Sequence, residues 1–156
     1  MINVLFVCLG NICRSPMAEA IFRDLVFKEN LENKIKVDSA GTGSWHIGNP
    51  PHKGTREKLD EVNIDYSTIV ARQFQRSDID NFQYIVAMDE KNLNDIKSIA
   101  GDHHSSYIAR LMDFVENGTV RDVPDPYFTG NFEETYELVL NGCQHLLKFI
   151  REREGI

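Results

Sequence analysis

Residues 8 to 15 read Cys8-Leu9-Gly10-Asn11-Ile12-Cys13-Arg14-Ser15, with Pro16 closing the run. A cysteine followed six positions later by an arginine, with a glycine and an asparagine between, suits a phosphate cradle that carries its own nucleophile. The apolar stretch from Ile2 to Val7 precedes it and a helical pattern begins near Pro16. A turn from strand to helix can aim its backbone N–H groups inward as an anion-binding nest. The helix N-terminus adds partial positive charge. At the bottom of such a nest Cys8 is expected as a thiolate nucleophile. Arg14 offers a planar fork for two phosphate oxygens, and the amides of Leu9, Gly10, Asn11, Ile12, Cys13 and Arg14 would hold the rest. A plainer reading of the same residues is a buried strand running into a capped helix. Ser15 would then be the N-cap and Pro16 would follow at N1.

Attack by a thiolate on a phosphate monoester needs an acid for the leaving oxygen. Asp125, between Pro124 and Pro126, is the candidate general acid. Asp122 competes for the role, as do Asp89 and Glu90, which could instead cap a helix starting near Lys91. The expected cycle passes through a cysteinyl-phosphate, with Asp125 first protonating the leaving group and then orienting water. It calls for no cofactor and no metal. Trp45, Tyr127 and Phe128, with Leu9 and Ile12, are candidates for an apolar slot that grips a phenyl ring. Trp45 could equally be a loop anchor, and Tyr127 and Phe128 core residues beneath the acid loop.

These residues need a scaffold. Strand-like segments at 2–7, 34–40, 84–88 and 107–111 alternate with helical patterns at 16–29, 53–62, 77–81, 91–100 and 132–151. Gly41 to Pro51 reads as a loop. Such alternation predicts an α/β sandwich, a four-stranded parallel sheet flanked by helices. Its phosphate-binding loop follows the first strand, and Cys8 falls at the carboxyl end where ligands bind such sheets.

The chain of 156 residues suits one domain. Its net charge of −7 argues against a general nucleic-acid binder. It has no apolar run long enough to span a membrane, and its start lacks the basic n-region of a signal peptide. The cytoplasm is the expected location and a monomer or weak homo-oligomer the expected state. Three cysteines, Cys8, Cys13 and Cys143, make no disulfide framework. Cys143 reads as a small buried hydrophobe, and His103-His104 as part of a solvated loop. Cys13 either packs under the loop or closes a reversible, protective disulfide with Cys8 after oxidation.

Several motifs resemble those of the low-molecular-weight protein tyrosine phosphatases: Val7 to Ala20, Asp38-Ser39-Ala40-Gly41-Thr42, Ala71-Arg72-Gln73, Met88-Asp89-Glu90, and Asp122 to Phe128. The likeness covers nearly the whole chain. It implies a protein tyrosine phosphatase with Cys8, Arg14 and Asp125 in the roles above, acting on phosphotyrosine-containing proteins. In one departure, Ile69 stands where many members carry a histidine that supports the loop asparagine. Support for Asn11 must then come from elsewhere, Ser39 or water being the candidates. A family branch that hydrolyses phosphoarginine has threonine at the position of Ile12, so the apolar residue favours tyrosine. Arsenate reduction on the same fold would require a cysteine relay that is absent after Met88. A non-catalytic phosphate-binding module would keep the cradle and lose the nucleophile or the acid.

Overall fold

The structure, a computed structural model, describes all 156 residues. Four parallel strands, β1 (Ile2–Cys8), β2 (Ile35–Gly41), β3 (Tyr84–Ala87) and β4 (Tyr107–Arg110), form one sheet in the order β2-β1-β3-β4. The helices are α1 (Arg14–Lys28), α2 (Lys53–Glu61), α3 (Ser77–Asn81), α4 (Glu90–Ala100), α5 (Pro126–Thr129) and α6 (Phe132–Glu154), with a 3-10 turn at Leu111–Phe114. No helix is long and apolar enough to cross a membrane.

The central strand explains the layering. Successive side chains of a strand point to opposite faces. Val4, Phe6 and Cys8 join one core with Met17 and Ile21 of α1 and Leu146 and Ile150 of α6. Leu5 and Val7 join a second core with Ile79 of α3 and Ile96 of α4. Both faces are covered, and β1 therefore reads as a continuous apolar run. Chain order moves from β1 to one side for β2 and to the other for β3. The switch point, where open parallel sheets bind ligands, lies at the end of β1.

The parallel sheet and its flanking helices match the sequence expectation, with differences at the ends of elements. β1 runs one residue further, so Cys8 is its last residue. α1 starts at Arg14, with Cys13 at the cap position and no side-chain capping bond. Ser15 is therefore not the N-cap; its hydroxyl turns back toward Cys8 instead. The last strand stops at Arg110 because Leu111 begins the 3-10 turn and buries itself against α6. On α4 Ile96 is fully buried and carries the packing, while Ile99 is 39% exposed. The acid loop holds a short helix, α5, that no periodicity in the sequence predicts. Asp125 caps it and Pro126 stands at N1, the arrangement favoured at a helix start.

Candidate active site

Cys8 is buried at the foot of a turn spanning residues 9–13, and other segments brace that turn on several sides. Thr42 and Gly43 donate from their backbone nitrogens to the carbonyls of Cys8 and Leu9, each at 2.9 Å. His52 N donates to the Ile12 carbonyl at 2.7 Å, and Thr55 Oγ1 to that of Cys13 at 3.1 Å. Gly41 lets β2 come this close: a Cβ there would lie 2.9 Å from the Leu9 carbonyl oxygen and 3.1 Å from the Asn11 backbone nitrogen. No ordinary side chain fits that gap.

Asn11 organises the turn. It adopts the left-handed region, with φ of 55°, which asparagine tolerates better than most residues. Its backbone N–H donates to Cys8 Sγ at 3.3 Å. Its Oδ1 accepts from Arg72 N at 3.0 Å, and its Nδ2 donates to Ser15 Oγ at 2.7 Å and Ser39 Oγ at 2.9 Å. Ser15 Oγ in turn lies 2.9 Å from Cys8 Sγ. Ile69 is buried and apolar. Ser39, with Arg72 and Ser15, supplies the support for Asn11 that Ile69 cannot.

Arg14 is buried and faces two carboxylates. Its Nη1 lies 2.6 Å from Asp89 Oδ2 and donates to the Val123 carbonyl at 2.9 Å, and its Nη2 lies 3.3 Å from Asp125 Oδ2. Burial alone would lower the Arg14 pKa. Cys8, Asp89 and Asp125 outweigh it and hold the guanidinium above its ordinary value. Its Nε is buried without a hydrogen-bond partner. Asp125 spends its other oxygen, Oδ1, on Tyr127 N at 3.1 Å. Asp122 accepts from Glu90 N at 3.0 Å and faces Arg110 at 3.3 Å. It lines a neighbouring groove, not the cleft over Cys8.

That cleft has a volume of about 480 Å³. Cys8, Leu9, Gly10, Ile12 and Cys13 form its floor, and Trp45, His46, Asp125, Tyr127 and Phe128 its walls. Tyr127 and Phe128 are exposed there, so the reading of buried core does not hold for them, while the exposed Trp45 ring also lies against Gly43 of its own loop, where a Cβ would meet it at 1.9 Å. Cys13 is 3% exposed, and its thiol is pushed up to about 12 by burial first, with Cys8 and Asp125 adding to the shift and Arg14 opposing it. All three cysteines are free thiols. No group of three metal-ligating side chains exists anywhere in the fold.

Four residues of this neighbourhood have roles that the sequence does not assign to them. Asp89 does cap α4, accepting from Asn92 N at 2.8 Å, but its second oxygen holds Arg14. The cap explanation was sufficient and hid the second role. His46 lines the cleft beside Trp45 without any motif to announce it. Arg72 lay inside a motif, yet its backbone N–H, not its charge, reaches Asn11. Glu19 looks like a surface charge on α1, but it is 4% exposed and accepts from Ser39 Oγ at 2.6 Å.

Comparison with known proteins identifies the family. The family model for low molecular weight phosphotyrosine protein phosphatase matches residues 3–155. The chain is 57% identical over 156 residues to low molecular weight protein-tyrosine-phosphatase YfkJ of Bacillus subtilis, covering all of both chains. The crystal structure of YfkJ superposes with a TM-score of 0.96 over 98% of this chain and 96% of that one. PtpA of Staphylococcus aureus, another low molecular weight protein-tyrosine-phosphatase, is 47% identical over 150 residues, 96% of this chain and 94% of that one. A Drosophila arginine phosphatase shares 34% identity and a TM-score of 0.88, over 95% of this chain and 97% of that one. By the extent of these matches, this chain belongs to the low molecular weight phosphotyrosine protein phosphatase family.

Proposed function

We propose that this chain is a protein tyrosine phosphatase that works through a cysteinyl-phosphate on Cys8. The observation that carries the reading is the convergence of Cys8, Arg14 and Asp125 on one apolar-walled cleft, with Arg14 3.3 Å from Asp125. Phosphate enters the turn and its oxygens are held by the amides of residues 9 to 14 and by Arg14, whose buried Nε has a donor to spare. Arriving phosphate replaces Asp125 as the partner of the guanidinium and leaves the carboxyl free to act on the leaving group. The Cys8 sulfur forms a bond to phosphorus, the bond from phosphorus to the phenolic oxygen breaks, and Asp125 gives that oxygen its proton. Asp125, now ionised, takes a proton from water as the water oxygen bonds to phosphorus. The S–P bond breaks, and inorganic phosphate and the Cys8 thiolate remain. The fixed donors of the cradle stabilise the transferring group throughout.

The aromatic walls favour a phenyl ring. Ile12, buried at the floor, favours tyrosine over phosphoarginine, although one structural relative is named an arginine phosphatase. The partners are then phosphotyrosine-containing proteins. Three free cysteines, one of them the nucleophile, suit a reducing compartment such as the cytoplasm.

The test is hydrolysis of phosphotyrosine, phosphoserine and phosphoarginine under one set of conditions, with EDTA present. Phosphotyrosine should turn over fastest, with phosphate trapped on Cys8 after rapid quenching. Preferred turnover of phosphoarginine would move the substrate assignment. Phosphate binding without turnover of any of the three would leave a binding module.

A further inference from the structure

A phosphotyrosine in a protein brings its chain with it. Once the ring fills the cleft, the residues on either side of it must lie on the surface around the rim. Two grooves adjoin the cleft there. One shares Asp125 with it and is acidic, with Asp89, Glu90 and Asp122 in its lining. The other, of about 390 Å³, runs between the loop after β2 and helix α4. It shares the side chains of Leu9 and Trp45 with the catalytic cleft as a common wall. Ile99 of α4 lines it from the far side, with Lys91 and Asp95 beside it.

Ile99 has no packing task that explains it. α4 is held on the sheet by Ile96 and Ala100, both buried, with Leu93 part-buried against the same core. Ile99 joins neither core. One exposed isoleucine is ordinary on a protein surface. Here it lines the same groove as Leu9 and the exposed Trp45 ring, so three large apolar side chains meet at one place open to solvent.

Both walls are set in advance. The Ile99 carbonyl accepts from Arg76 Nη1 at 2.7 Å, and Asp89 caps the other end of α4. The Trp45 ring lies on Gly43, where any side chain would collide with it. A ligand entering between them has little ordering left to impose. Charge separates this groove from the acidic one. Lys91 Nζ lies 3.6 Å from Asp95 Oδ2, and the two cancel. A neutral groove with apolar walls gains by covering an aliphatic side chain and offers no partner to a charged one.

We infer that this groove is a subsite for an aliphatic side chain flanking phosphotyrosine in the substrate, with Ile99 as a specificity-determining residue. The inference rests on the phosphatase reading above and narrows its substrate class.

Phosphotyrosine peptides that carry Ala, Leu, Lys or Glu at one flanking position at a time test it. At one position Leu should be preferred over Ala about five- to tenfold in kcat/KM, the scale of partly burying one aliphatic side chain. The gain should lie in KM, because the groove is remote from the reacting bond. Ile99→Ala should bring that ratio below about twofold. Its kcat/KM for p-nitrophenyl phosphate, which has no flanking residue, should equal that of wild type. Absence of any position that prefers Leu, a Leu preference that survives in Ile99→Ala, or an equal loss on p-nitrophenyl phosphate would each overturn the inference. A preference for Lys would do so too, and would give recognition to the acidic groove. Wild-type turnover of p-nitrophenyl phosphate tests the phosphatase reading by itself. Peptide binding to Cys8→Ser needs no turnover. There the Leu preference should appear as a ratio of Kd values, and adding Ile99→Ala should abolish it. Equal Kd values for the Leu and Ala peptides would overturn the subsite whether or not the protein turns over.

Discussion

The cradle and its rim are built on opposite terms. Within the cradle Asn11 is 1% exposed and Arg14 2%, and the polar groups of Asn11, Ser15 and Ser39 are engaged with named partners from four segments of chain. At the rim Trp45 is 70% exposed and Phe128 75%, with ring packing between Tyr127 and Phe128 at 5.3 Å and looser approaches of His46 and His52 to Tyr127. Buried polar groups with fixed partners hold geometry, which is what charge stabilisation in a transition state requires. Exposed rings on loops give contact area and adapt to a ligand. The chemistry should therefore fail steeply when the cradle is altered, and the choice of substrate should shift gently when the rim is.

The steepest failure is expected at the nucleophile. Cys8→Ser should abolish turnover, because a serine hydroxyl stays protonated at neutral pH, while phosphate binding survives. Residual activity close to wild type would exclude the covalent route. Arg14→Lys should also fail badly, with a loss of about 10²–10³ in kcat, the range for removing a transition-state donor. A lysine cannot face Asp89, the Val123 carbonyl and phosphate with one planar group. Near-complete retention of rate would reduce Arg14 to a point charge.

Asp125→Asn should lower kcat for phosphotyrosine by about 10²–10⁴. The loss should shrink for aryl phosphates whose leaving groups are already acidic, because they need less help from a proton. Equal losses across leaving groups would make Asp125 a cap for α5 and no more. Asp122→Asn, altered outside the cleft, should do far less.

This ranking separates what the sequence made legible from what it hid. Cys8, Arg14, Ser15 and Pro16 are local: a strand, a turn and a helix start within nine residues, and their types point to the chemistry proposed for them. Asp125 was legible through its proline neighbours and the need for an acid. Asp89 and Glu19 were not, since each had a sufficient local explanation, helix cap and helix surface. Their partners lie 75 and 20 residues away. The fold was legible where periodicity is strong, as in β1. It was not at α5, where four residues carry too short a pattern to show a helical period.

Oxidation probes the cradle without replacing its catalytic groups. A sulfenic acid formed on Cys8 by peroxide can be captured by Cys13 as a disulfide, with loss of water. Capture needs the Cys13 thiolate, and burial pushes that thiol up to about 12. Well below that value the thiolate fraction rises about tenfold per pH unit. Protection should therefore improve as pH rises from 6 to 8. Wild type treated with peroxide should regain activity with dithiothreitol, more completely at the higher pH, and Cys13→Ser should not. Equal recovery of both proteins would assign Cys13 to packing alone, alongside Ile12 and Ala71.

The gentlest effects belong to the cleft wall. Trp45→Ala should raise KM for a phosphotyrosine peptide about three- to tenfold, about 1 kcal/mol of ring contact. Its kcat should stay within about twofold, and inhibition by inorganic phosphate should not move, because phosphate does not reach the ring. A fall in kcat instead would mean that Trp45 orders the turn and belongs with the cradle. Ile12 lies on the boundary between the two regions: its carbonyl is held by His52 N, and its side chain faces the cleft. Ile12→Thr keeps the β-branch and the backbone bond but exchanges a methylene and methyl for a hydroxyl. It should raise the ratio of phosphoarginine to phosphotyrosine turnover several-fold, within the modest range that one pocket contact can supply. If both substrates slow together and their ratio stays fixed, Ile12 serves the geometry of the turn and selectivity rests with the exposed rings alone.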